Sequence, residues 1–228
     1  MQAVILAAGL GTRMGELTKN CPKPLLKIEE RTLLEHNLTA MPDEIDEVVL
    51  VVGYLADQIK EVIGEKFLNK KIIYVHQKEL RGTGHALSVC KDVLRGRFLV
   101  LMGDDLYEKE DLKKLISHPL AVLSQKLKNP GKDDSYALIK MDEHGKLLDI
   151  VERQQAKPGD LANSGAYVLD ERYFNLPLVP AGNKTDEFGL PQTMLELVKQ
   201  GAKFDITQAT FWHKVTSPKD LRLENPSS

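Results

Sequence analysis

Only two cysteines, Cys21 and Cys90, occur in 228 residues. They are too few and too far apart for a disulfide framework or a cysteine metal site, so two free thiols in a reducing compartment are expected. No basic, leader-like segment precedes the first apolar run, and a cytoplasmic location is expected. The longest apolar stretch, Val48 to Ala56, is interrupted by Gly53 and falls well short of the ~20 residues of a membrane span. Neither sign of charge dominates: 31 Lys and Arg against 33 Asp and Glu leave a net charge of −2. That balance argues against a general nucleic-acid binder. An anionic ligand must then meet a local cluster of cations, and Arg13, Lys19, Lys23 and Lys27 supply one near the start of the chain. Aromatics are also sparse, at 6%, but 42% hydrophobic and 28% charged residues are ordinary for a globular chain able to bury a core.

Periodicity gives the first half a regular order. Buried strands are predicted at 3–8, 47–52 and 98–102, a further strand at 72–75, and helices at 32–41, 56–63 and 85–94. Such alternation predicts a largely parallel sheet with helices on both faces, whose ligands collect at the carboxyl ends of the strands. Those ends carry Gly9 to Gly11, Gly53-Tyr54, Gln77 to Gly84 and Asp104-Asp105. The second half is less regular. Strands are predicted at 121–123, 135–139, 147–151 and 166–169, with turns at 130–134 and 143–146, an exposed loop at 177–189 and a helix at 191–199. One domain with a β-rich insertion on its sheet is the simplest account.

The stretch Leu6 to Ile28 reads LAAGLGTRMGELTKNCPKPLLKI. A P-loop would end in Gly-Lys-Ser/Thr, which Met14-Gly15-Glu16 does not supply. A dinucleotide fingerprint would need glycine at Met14 and an acid after the second strand, where Val52-Gly53 stands. A third kind of loop remains, in which backbone N–H groups wrap a triphosphate. Glycines allow the close approach, Arg13 adds a forked cation and Lys23 a compact one.

Gly9-Leu10-Gly11-Thr12-Arg13-Met14, followed by Pro22-Lys23-Pro24-Leu25-Leu26, resembles the signature of the sugar-1-phosphate nucleotidyltransferases. These include glucose-1-phosphate uridylyl- and thymidylyltransferases and the N-acetylglucosamine-1-phosphate uridylyltransferase domain. The resemblance runs from Ala3 to Leu221. It implies a Rossmann-like three-layer α/β/α domain with a mixed, mostly parallel sheet and a small β-rich sugar-binding insertion. Residues 1–110 would form the nucleotide-binding half and 111–228 the sugar-binding half and tail, with no left-handed β-helix acyltransferase domain.

By that resemblance Arg13 and Lys23 are catalytic, and Leu6, Ala8, Gly9, Gly11, Thr12, Gln77, Gly82 and Thr83 bind the nucleotide. An amide such as Gln77 offers donor and acceptor together, which suits a base edge, and the Gly-Thr-Gly-His-Ala run at 82–86 is most similar to that of the N-acetylglucosamine-1-phosphate enzymes. Asp104 matches the family's Mg²⁺-binding aspartate, making Mg²⁺ the implied cofactor. Asp105 is expected to face substrate or cap the following helix. Glu152, Arg153, Asn163 and Gly165 resemble the segments that line the sugar pocket.

One departure stands out. In Trp212-His213-Lys214-Val215-Thr216, Lys214 occupies the position of the family's second metal-binding aspartate. An ammonium would oppose a metal at close range. Lys214 is therefore read as a sugar-phosphate contact, with Asp205 or Asp220 as alternative acids, loss of catalysis with retained binding, or a solvent-facing lysine as further readings. The implied reaction joins an NTP, UTP first, to a sugar 1-phosphate and releases pyrophosphate. A cytidylyltransferase acting on phosphocholine or another non-sugar phosphate and a nucleotide-binding module are the alternatives. The partners implied are these small molecules, with no nucleic acid and no membrane; assembly as a homo-oligomer is left open, as are the sugar and the base.

Overall fold

The computed structural model describes residues 1–131, 134–182 and 186–222. Among the described residues fourteen strands follow in chain order: β1 (Gln2–Leu6), β2 (Lys27–Ile28), β3 (Arg31–Thr32), β4 (Glu47–Val52), β5 (Lys66–Phe67), β6 (Lys70–His76) and β7 (Arg97–Met102); then β8 (Asp105–Tyr107), β9 (Ala121–Lys126), β10 (Ser135–Met141), β11 (Leu147–Gln155), β12 (Leu161–Asp170), β13 (Asp205–Gln208) and β14 (Trp212–Lys214). The described residues also hold five helices, α1 (Leu33–Ala40), α2 (Ala56–Ile63), α3 (Gly82–Ser88), α4 (Lys109–Ile116) and α5 (Leu190–Lys199), and short 3₁₀ turns at Thr12–Thr18, Lys23–Leu25, Glu171–Asn175 and Pro218–Leu221.

The apolar runs form the centre of one large sheet. β6, β4, β1 and β7 lie side by side and parallel, with β1 between β4 and β7. β12 joins β7 antiparallel, followed by β10 and β11, while β9 pairs with β12 and carries β13. Along β1 the side chains alternate between two cores. Ala3 and Ile5 pack toward α1, α2 and α4, whereas Val4 and Leu6 pack toward α3 and α5. This is the three-layer, mixed and mostly parallel arrangement that the sequence implied. Helix α1 starts where expected because Thr32 and Glu35 close a capping box.

Several boundaries differ from expectation. The predicted helix 85–94 is helical only over Gly82–Ser88 and continues as turns, stapled by Cys90 N–H to Leu87 O and Leu94 N–H to Cys90 O. The strands predicted at 121–123, 147–151 and 166–169 are longer, because antiparallel pairing extends them beyond their apolar centres. The loop predicted at 177–189 is not wholly exposed: Pro180 and Phe188 form a β-bridge and Gly189 is buried. Residues 183–185 of it, and 132 and 133 of the turn predicted at 130–134, lie outside the described residues. Among the described residues no helix is long and apolar enough to cross a membrane.

The chain order moves from β1 to β4 and β6 on one side, then returns to β7 on the other. A crevice must open outside the carboxyl ends of β1 and β7, where successive connections diverge.

Candidate active site

A cleft of about 460 Å³ sits at that crevice. It is lined by Leu6, Ala8, Gly9, Gly11, Thr12 and Arg13 after β1, by Lys23, by Gln77, Gly82 and Thr83 after β6, and by Asp104 after β7. Every residue expected to bind nucleotide, catalyse or hold metal therefore faces one space. Leu10, Leu80, Met102 and Glu187 line it too, without having been singled out in the sequence.

Glycines let these segments close up. Gly11 has φ +66°, and a Cβ there would lie 2.9 Å from Lys23 Cβ and 3.0 Å from Thr18 Cγ2. The Thr18 hydroxyl donates to Gly11 O at 3.0 Å, fixing the turn from within. At Gly103 a Cβ would meet Leu6 O at 2.8 Å, so the ends of β1 and β7 touch through backbone.

Lys23 is buried, and its ammonium donates to Asp104 Oδ2 and to Val215 O, each at 2.5 Å. A buried cation needs such partners. An ammonium carries three donors, so one N–H is left for the cleft that Lys23 lines. The Asp104 side chain is 36% exposed.

Asp105 does not behave as expected. It neither faces the cleft nor caps α4, whose N-cap is Glu108; it is buried and accepts from Trp212 Nε1 at 3.0 Å. Burial first and the neighbouring Asp104 charge second push its carboxyl up to about 8, against the opposing pull of Trp212, Lys23 and Lys214.

Gln77 is buried and donates to Gly82 O at 3.2 Å, with His85 Nδ1 at 3.0 Å. Gly82, at φ +85°, leaves no room for a side chain, since a Cβ would stand 2.5 Å from Phe188 O. Segment 187–190 thus braces this wall. Phe188 N–H donates to Arg81 O, Gly84 N–H to Phe188 O, and Leu190 N–H to Thr83 Oγ1. The Arg81 guanidinium lies over the Phe188 ring at 4.8 Å.

The residues expected at the sugar do not line this cleft but stand beside it on β11, β12 and β14. Asn163 Nδ2 donates to Tyr167 Oη at 2.7 Å, and Gly165 N–H to Asn163 Oδ1 at 3.2 Å. Gly165 abuts cleft-lining Met102, where a Cβ would lie 2.7 Å from Met102 Cγ. Glu152 and Arg153 occupy a bulge between β10 and β11, with Arg153 at φ +54°. Glu152 Oε1 accepts from Gln192 Nε2 at 3.4 Å.

Lys214 pairs in register with Asp105 across the β8–β14 ribbon, and its ammonium stands 5.5 Å over the Tyr136 ring. It is exposed, with its ammonium over an aromatic face and its backbone opposite Asp105. Neither alternative acid, Asp205 or Asp220, lines the cleft. Asp205 is paired with Lys146 and His118, and Asp220 accepts from Thr216 and Ser217 N–H. Among the described residues no group of three or more His, Cys, Asp or Glu gathers as a metal cage.

A family model described as nucleotidyl transferase matches residues 2–225. The bifunctional protein GlmU of Methanocaldococcus jannaschii is 31% identical over 99% of this chain and 53% of its own. The chain thus spans about half the length of that relative. D-glycero-alpha-D-manno-heptose 1-phosphate guanylyltransferase of Campylobacter jejuni is 34% identical over 77% of this chain and 78% of its own. A UDP-glucose pyrophosphorylase solved with UDP-glucose shares the fold, with a TM-score of 0.82 over 96% of this chain and 95% of that one, at 20% identity. The chain that carries this glycine loop, the PKPL segment and the aspartate after β7 belongs to the nucleotidyl transferase family, among the sugar-1-phosphate nucleotidyltransferases.

Proposed function

We propose that the protein transfers a nucleotidyl group from an NTP, with UTP as the first choice, to a sugar 1-phosphate, forming an NDP-sugar and pyrophosphate. The observation that carries this reading is the single cleft in which a glycine loop, Arg13, Lys23, Gln77 and Asp104 meet. Arg13 and the loop hold the triphosphate, with the base toward Gln77 and Gly82. A sugar 1-phosphate oxygen attacks the α-phosphorus; its bond forms as the bond to the β-phosphate oxygen breaks, and pyrophosphate leaves. The nucleophile is already an anion, so no general base is required. Lys23 presents its remaining N–H where charge gathers around the α-phosphate, and Arg13 stabilises the departing pyrophosphate.

Mg²⁺ fits the donors present. It favours one or two carboxylates completed by phosphate oxygens and water, and Asp104 offers one such carboxylate beside the cleft. When bound there it would neutralise phosphate charge. Glu152, Arg153, Asn163, Gly165 and Lys214 would serve the sugar phosphate from the flank.

The guanylyltransferase relative favours one second reading, a guanine base in place of uracil. The phosphocholine reading loses ground, since the Tyr136 face already carries the Lys214 ammonium and Trp212 bonds Asp105. The test is pyrophosphate release with UTP, TTP, CTP and GTP against a panel of sugar 1-phosphates. Turnover is expected with UTP, and Lys23→Ala should lower kcat about a hundredfold with little change in nucleotide affinity. Nucleotide binding without turnover for any pair would sink the enzyme reading.

A further inference from the structure

Residues 212–221 reach Lys23, which lines the cleft, through one peptide unit. Between Val215 and Thr216, the carbonyl accepts from Lys23 Nζ at 2.5 Å while the N–H donates to Asp220 Oδ2 at 2.9 Å. A trans peptide is planar, with its C=O and N–H pointing in opposite directions. A group that grips the N–H therefore sets where the C=O points.

Asp220 has a firm grip. The same Oδ2 accepts from Ser217 N–H at 2.7 Å and Ser217 Oγ at 3.0 Å, while Asp220 N–H returns to Ser217 O at 3.0 Å. Its backbone carbonyl lies 2.6 Å from His213 Nε2 on β14. Burial alone would raise its carboxyl pKa, but the bonds from Thr216 and Ser217 outweigh that and hold it below the ordinary value. The Val215 side chain, 1% exposed, is seated among Met14, Leu26, Ile28 and Leu106, so it packs against the cleft's own loop.

We infer that residues 212–221 form a strap that orients the Lys23 ammonium, with Asp220 as a positioning residue acting through the Val215–Thr216 peptide. Without the strap, Lys23 keeps only Asp104 as a partner, and its remaining N–H has no fixed direction toward the cleft. The effect on turnover rests on the reading of Lys23 as catalytic; the effect on Lys23 itself does not.

The experiment uses ¹⁵N-lysine spectra of the ligand-free protein. Two buried ammonium groups should give protected N–H signals: Lys23, and Lys70, whose acceptors, Pro42 O and Ile45 O, lie outside the strap. Asp220→Ala is expected to shift or erase the Lys23 signal and leave that of Lys70 in place. It should lower kcat about tenfold with nucleotide KM within about twofold. If the alanine variant does not fold, Asp220→Glu keeps the charge but displaces the carboxylate, and the same pattern is expected. An unchanged Lys23 signal, or equal changes in both lysines of a folded variant, overturns the strap. A shifted Lys23 signal with normal turnover supports the strap and overturns the catalytic reading of Lys23 instead.

Discussion

Gly9 and Gly11 stand two positions apart in one loop, and the fold asks different things of them. A Cβ at Gly9 would meet nothing within 4 Å, whereas one at Gly11 would press on the stem of Lys23 in a left-handed backbone conformation. Gly11→Ala is therefore expected to cost roughly 1–3 kcal/mol and to lower turnover by moving Lys23. Gly9→Ala should unfold close to the wild-type temperature. Thermal melts of both variants check this, and equal losses would contradict it. The need for glycine at Gly11 was legible in the sequence because it accompanies Arg13 and Pro22-Lys23-Pro24 within fifteen residues. The partners of Lys23 were not legible, because Val215 and Asp104 reach it from 192 and 81 residues away. A separation of 107 residues likewise explains the misreading of Asp105, whose partner Trp212 is set by pairing of two three-residue strands.

At the level of elements, the wall formed by α3 depends on a segment that looks like loop in the sequence. Segment 187–190 crosses the start of α3 with hydrogen bonds to Arg81, Thr83 and Gly84, and Glu187 reaches the cleft from it. Periodicity located β1, β4 and β7 because each is a dense apolar run buried from both sides, and β6 through the apolar run 72–75, of which only Ile72 is buried. It missed β8, β13 and β14, which are short and owe their form to distant partners. Gly82→Ala tests the brace. The added methyl would stand 2.5 Å from Phe188 O and 2.9 Å from Phe188 N, so segment 187–190 must move away. Gln77, which donates to Gly82 O, would lose its anchor. Nucleotide affinity measured by titration calorimetry is expected to fall about tenfold or more, worth ~1.4 kcal/mol, with a smaller change in kcat. Unaltered affinity would show that this wall does not read the nucleotide.

For the whole molecule, the sheet separates chemistry from stability along its strands. The carboxyl ends of β1, β6 and β7 carry the cleft, while a cluster of charges gathers toward the amino end of β7. Arg97, the first residue of β7, donates to His118 O; His118 Nδ1 and Lys146 Nζ flank Asp205 at 3.1 and 2.5 Å. Asp205 starts β13 opposite Ala121, which is level with Val168 and, through it, Leu99. The hydrogen bond from Lys146 lowers the Asp205 carboxyl below its ordinary value of 3.8, burial opposes this, and His118 adds to the lowering. A carboxyl depressed in the folded state contributes stability above its unfolded value and loses it as pH falls through the folded one. Melting temperature is thus expected to drop as pH is lowered from about 5 through the carboxylate range near 3.9. Asp205→Asn should flatten that part of the profile and lower stability at neutral pH. Because the cluster lies away from the cleft, the variant's kcat at neutral pH should match the wild type once both are folded. A wild-type slope retained in the variant would assign the acid sensitivity to other carboxylates. A loss of kcat with an intact melt would show that the two ends of the sheet are coupled.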